Sequence, residues 1–108
     1  MIITAQVQDI AEGKPAARIP IELDYFITGF GWKEVGRGLT DSEGRVRDFA
    51  EHPAPGLYRL MFDIAAYGAG AFFPSIPVIF ELTDVEDPVH IHLTISPFGY
   101  SVHRGSPE

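Results

Sequence analysis

The sequence predicts an all-β sandwich of eight short strands with almost no helix. Three observations lead there. The chain is built of short runs that alternate polar and apolar or are apolar throughout. Gly, Pro and Asp punctuate these runs at short intervals. Helical periodicity is almost absent, so packing of sheet on sheet is the simplest way to bury the apolar faces.

Each element follows from local chemistry. Ile2 to Gln8 alternates, with Ile3, Ala5 and Val7 on one face and Thr4, Gln6 and Gln8 on the other. AEGKPAA reads as a turn. RIPIELDYFIT, Arg18 to Thr28, is the second strand, and Trp32 to Leu39 the third. TDSEGR is a tight connection in which Gly44 can take positive φ. Arg45 to Phe49 is a short fourth strand. After HPAPG, LYRLMFDI makes a fifth. DIAAYG has room for one or two helical turns before GAG stops it. SIPVIFEL is a sixth strand, and its Pro77 marks an edge or a strand start. DVEDP is a turn. Val89 to Ile95 is the seventh strand, and Tyr100 to His103 the eighth.

Length and composition limit the function classes. The chain has 108 residues, so one domain spanning 1–108 is expected. It contains no cysteine, which excludes disulfides, thiol catalysis and Cys-based zinc sites within it and fits a cytoplasmic protein. Eight basic residues against fifteen acidic ones give a net charge of −7. That balance argues against nucleic acid and against an anionic membrane surface as partners. MIITAQVQDI lacks the basic start and apolar run of a signal peptide, and no segment has the length and hydropathy of a transmembrane helix.

Candidate chemistry lies on the polar faces. In VHIHLTIS, Val89, Ile91, Leu93 and Ile95 point one way, while His90, His92, Thr94 and Ser96 point the other. His90 and His92 are then about 7 Å apart on one face. Two imidazoles so placed can relay protons or bind a metal, and the plainer reading is a solvated outer face. No third ligand is spaced nearby, so zinc is not expected. Arg45 and Arg47 share a face of the fourth strand. A guanidinium there suits a carbonyl-rich or anionic ligand, and ordinary surface charge is the plainer reading. Gln6 lies on the polar face of the first strand. The Phe72-Phe73-Pro74 cluster, Trp32, Phe62 and Tyr67 read as core and loop packing. No phosphate-binding glycine loop or nucleophile elbow is present.

The C-terminal SPFGYSVHRGS (96–106) resembles the signature SPYGYSTYRGS of the transthyretin-like 5-hydroxyisourate hydrolases. The likeness extends over nearly the whole chain. TAQVQDIAEGKPA resembles the family's TTHVLDTALGRPA, and TDSEGRV its T-D/N-x-D-G-R segment. GLYRLMFDIAAY and FFPSIPVIF match two further segments in order.

The resemblance implies a transthyretin-like (prealbumin-like) sandwich of two four-stranded sheets with one short helix, and a homotetramer, a dimer of dimers, with sites in a channel between dimers. It implies hydrolysis of 5-hydroxyisourate to 2-oxo-4-hydroxy-4-carboxy-5-ureidoimidazoline in urate degradation, without a metal or organic cofactor. Carried over by position, the site comprises Arg45 and His90 as catalytic groups, with Arg104 and Ser106 as substrate contacts. Two further positions depart from the family pattern. Gln6 stands where the first strand usually carries His, and His103 where the last signature carries Tyr. His92 stands where proline is usual, so by the resemblance it is not the counterpart of the family's catalytic histidine. An amide is no base at neutral pH, but Gln6 can orient a water or a substrate carbonyl, and His103 offers an imidazole for a phenol. Gln6 and His103 are therefore counted with both the catalytic and the substrate-binding residues. These departures keep two alternatives open: a paralogue hydrolysing another cyclic amide or imide, and a non-catalytic transthyretin-like binder of small molecules.

Overall fold

The structure is a computed structural model that describes residues 3–47, 49, 54–68, 70–84 and 88–105. Among these residues the regular elements are nine strands: β1 (Ile3–Asp9), β2 (Lys14–Pro15), β3 (Pro20–Ile27), β4 (Gly31–Leu39), β5 (Arg45–Val46), β6 (Gly56–Asp63), β7 (Ser75–Leu82), β8 (Val89–Ser96) and β9 (Gly99–Gly105). They form two sheets. One runs β2-β1-β8-β9, with β5 also paired to β1, and the other runs β4-β3-β6-β7.

The alternation in β1 and β8 becomes burial. Ile3, Ala5, Val7, Leu93, Ile91 and Ile95 all face the core, where they meet Ile21, Leu23, Leu60, Phe62 and Ile76 of the other sheet. β1 and β8 are neighbours in parallel, from Ile3 opposite Val89 to Asp9 opposite Ile95. β7 is an edge strand, as Pro77 requires, because the missing N–H would leave a gap in a central ladder.

The AEGKPAA turn contains an extra pair of strand residues. Lys14 and Pro15 fold back on Asp9 and Gln8, which raises the strand count to nine and the first sheet to five members. The short helix is reduced to a single turn. Tyr67 N–H donates to the Ile64 carbonyl at 3.0 Å and Gly68 N–H to the same oxygen at 3.4 Å, and no helix occurs among the described residues. Only four residues separate the end of β6 from Gly68, too few to repay helix nucleation. The exposed Phe72 and Phe73 also depart from the expected core role. Their rings pack on each other and on Phe98 and Tyr100 at the surface. The DVEDP and HPAPG turns lie partly outside the described residues.

The connection into β5 is set by side-chain and backbone hydrogen bonds. Asp41 Oδ1 accepts from the N–H groups of Glu43 and Arg45, and Gly44 N–H returns to the Asp41 carbonyl. Gly44 has φ +77°, and a Cβ there would strike the Val7 carbonyl. The turn therefore presses on β1 and fixes Arg45 directly opposite Gln6.

Candidate functional site

Register places the candidate residues in two rows across the outer face of the first sheet. The first row crosses four strands: Arg45 on β5 opposite Gln6 on β1, Gln6 opposite His92 on β8, and His92 opposite His103 on β9. The second row holds Thr4 on β1, His90 on β8 and Gly105 on β9. Neighbouring strands are about 4.8 Å apart, so each side chain in a row can touch the next. The rings of His90 and His92 lie 6.4 Å apart and those of His92 and His103 4.9 Å apart, centroid to centroid.

His90 is no solvated surface group, for it is only 7% exposed. Thr4 Oγ1 lies 2.6 Å from its Nδ1, and the same hydroxyl donates to the Val89 carbonyl at 3.3 Å. Either tautomer satisfies the Nδ1 contact; in the one that can act as a base, the hydroxyl oxygen accepts Nδ1–H and the lone pair is on Nε2. Nε2 lies 3.4 Å from Gln6 Oε1, which only accepts, so the two are hydrogen-bonded when Nε2 carries the proton, and the tautomer with its lone pair on Nε2 leaves that nitrogen open to a water. Gly105 covers the ring from β9. A Cβ there would come within 3.2 Å of His90 Cδ2, so a side chain at that position would press on the imidazole.

The electrostatics favour neutral imidazoles. Burial lowers the His90 pKa, and His92, Arg45 and Arg47 add positive-charge repulsion. Burial lowers that of His92 as well, with His103 and Arg45 adding to it. A base must be neutral before it can accept a proton, so both shifts keep these imidazoles able to accept one below the ordinary histidine range.

Two polar atoms here are buried without a hydrogen-bond partner: Arg45 Nε and His92 Nε2. Buried donors and acceptors are nearly always paired, so two orphans in one row mark a place prepared for a ligand or water. Arg47, by contrast, pairs with Glu43 at 3.2 Å on the exposed side of the turn. No cluster of three or more His, Cys, Asp or Glu among the described residues is placed to hold a metal ion.

The structure thus brings Gln6, Arg45, His90 and His103 together and adds His92 and Thr4. Arg104 is not with them in this chain. It sits opposite Ile91, on the other face of β9, and its guanidinium donates to the Pro88 carbonyl at 3.2 Å beside Leu82 and Val89. Adjacent strand residues point to opposite faces, so His103 and Arg104 of one strand cannot both reach the imidazole row. Ser106 lies outside the described residues. Thr4 was legible as a polar-face residue of β1, but its contact with His90 depends on the parallel pairing of strands 86 residues apart.

Comparison with known proteins agrees with this architecture. A probable 5-hydroxyisourate hydrolase of Caenorhabditis elegans is 37% identical over 96% of this chain and 80% of its own. The uric acid degradation bifunctional protein of Arabidopsis thaliana is 36% identical over 96% of this chain, which spans only 37% of that longer protein. The crystal structure of sea bream transthyretin in complex with thyroxine superposes with a TM-score of 0.91 at 23% identity, covering 99% of this chain and 97% of that one, a likeness of fold. The 5-hydroxyisourate hydrolase of Klebsiella pneumoniae gives 0.84 at 25% identity, covering 98% and 100%. The model of the HIUase/Transthyretin family matches residues 3–105. With its sandwich, its site rows and this match over nearly its whole length, the chain belongs to the HIUase/Transthyretin family.

Proposed function

We propose that the protein hydrolyses 5-hydroxyisourate to 2-oxo-4-hydroxy-4-carboxy-5-ureidoimidazoline in urate degradation, and that the outer face of the first sheet is its active surface. The observation that carries this reading is the buried His90, whose Nδ1 is held by Thr4 while Nε2 faces an under-partnered row of polar groups. The curated relatives named as hydrolases of this substrate support it.

The chemistry follows from the geometry. His90 Nε2 takes a proton from water as the water oxygen attacks a ring carbonyl carbon. Negative charge then develops on the carbonyl oxygen, and Arg45 stabilises it. The His90 imidazolium returns its proton to the departing ring nitrogen, the C–N bond breaks, and the carboxylic acid so formed ionises to a carboxylate by losing its proton to solvent. The unpartnered Arg45 Nε is a ready donor for that oxyanion. Gln6 holds a substrate carbonyl or the water. We place His103 at the substrate edge of the row, and retain Ser106 from the family resemblance as a contact to the substrate ring.

The reading includes a homotetramer and a cytoplasmic location. Exposed Phe98, Tyr100 and Val102 lie at and along β9, an edge strand, and offer apolar area for a subunit contact. Absence of cysteine suits a reducing compartment. Among the described residues no helix is long and apolar enough to cross a membrane.

Freshly generated 5-hydroxyisourate mixed with the protein tests the activity. Its ultraviolet decay is expected to outpace the spontaneous rate. Decay at the spontaneous rate with micromolar protein would rule the activity out and leave the two alternatives, a hydrolase of another cyclic amide or imide and a non-catalytic binder.

A further inference from the structure

We propose that His92 is a second catalytic imidazole of this protein, contacting the attacking water across from His90, in a role that Gln6 cannot perform. The proposal rests on the hydrolase reading above. Gln6 and His92 are direct cross-strand neighbours on the same face. Replacing an imidazole on β1 by an amide while placing an imidazole on β8 keeps a titratable group in the same row, displaced by one strand spacing of about 4.8 Å.

Three observations point to His92 rather than to Gln6 or His103. His92 Nε2 is buried and has no hydrogen-bond partner, whereas a structural histidine in a sheet would have one. His92 lies between His90 on its own strand and His103 across the ladder, so it alone borders both. His103 is exposed, while His92 is half-buried beside the base. With two neutral imidazoles flanking it, a water is held by one nitrogen and deprotonated by the other. His103 is then a positioning residue that packs against the His92 ring.

The groups facing His92 are His90 and Thr94 on β8, Gln6 on β1, Arg45 on β5 and His103 on β9. Burial first, and then the neighbouring His103 and Arg45, lower its pKa and favour the neutral imidazole. The wild-type acid limb of kcat therefore falls below the ordinary histidine value of about 6.5. It requires two imidazoles to stay neutral, so log kcat approaches a slope of two against pH, with apparent values belonging to the coupled pair.

The test is His92→Asn, alone and combined with Gln6→His, assayed for hydroxyisourate decay across pH with thermal melting of each variant. The single variant is expected to lose about 10²-fold in kcat, and its acid limb to drop to a slope of one. The double variant is expected to regain at least about tenfold and the second proton, because an imidazole has returned to the neighbouring strand. Wild-type kcat and an unchanged limb in His92→Asn would overturn the proposal and leave the hydrolase reading standing. So would a loss of kcat that tracks a loss of melting temperature and is not rescued by Gln6→His, since that marks a structural residue. An inactive wild-type protein would overturn both readings.

Discussion

Two arginines sit on the outer faces of the two sheets, and their surroundings differ in a way that separates structure from function. Arg59 on β6 donates through Nε and Nη2 to Asp24 Oδ2 at 3.1 and 3.0 Å, and its guanidinium lies 4.5 Å above the Trp32 ring. Asp24 is 1% exposed, so its charge is neutralised inside the protein. Arg45 on β5 has a buried Nε without a partner, and the imidazoles near it leave a second orphan at His92. The first cluster is closed on itself. The second is polar, half-buried and incomplete. Closed clusters fix a fold, whereas an incomplete one is satisfied only when a ligand or water arrives.

That contrast is broken most sharply at His90. His90→Asn keeps a smaller polar side chain and removes the base, and kcat is expected to fall by about 10²- to 10⁴-fold. Steady-state decay of hydroxyisourate measures it, and wild-type kcat would end the base assignment. Arg45→Met should cost about 10²- to 10³-fold in kcat through the lost oxyanion donor. Its melting temperature should barely move, because no partner is left unpaired.

Arg59→Met is the mirror experiment. It leaves Asp24 buried and charged without its cation, and a loss of about 3 kcal/mol in stability is expected, the low end for a broken buried pair because Arg59 is itself partly exposed. Urea unfolding reads the loss, while kcat of the folded fraction should stay at the wild-type value. If Arg59→Met lowered kcat and Arg45→Met lowered stability, the contrast would be reversed.

The smallest expected effect is on the pH dependence of stability. Burial depresses the His90 pKa in the folded protein, so the unfolded chain binds more protons at that residue as pH falls through about 6.5. The contribution of neutral His90 to stability is therefore full above that pH and lost as pH falls toward the folded value. Wild type should lose more melting temperature than His90→Asn between pH 7.5 and 5.5, by roughly one titrating group.

The period of two in VHIHLTIS separated the core face from the polar face, and every residue of Val89, Ile91, Leu93 and Ile95 is buried. Pro77 announced the edge, and Gly44 the turn that delivers Arg45. The same periodicity already separates His103 from Arg104, although position-by-position resemblance had grouped them. Burial of His90 was not legible, because a histidine on a polar face looks solvated until Gly105 and Thr4 close over it. Lys14–Pro15 escaped notice because two residues carry no period.

By itself the sequence determined which side chains share a face, since alternation is a property of the extended backbone and needs no partner. It also determined the chemistry available, with no thiol, a net negative charge and a few imidazoles and guanidiniums. Only the tertiary structure decided which faces meet. The parallel pairing of β1 with β8 and the antiparallel pairing of β8 with β9 set Gln6, His92 and His103 in one row. Register between strands more than eighty residues apart is fixed by burying both apolar faces at once, and no local stretch of sequence carries that information.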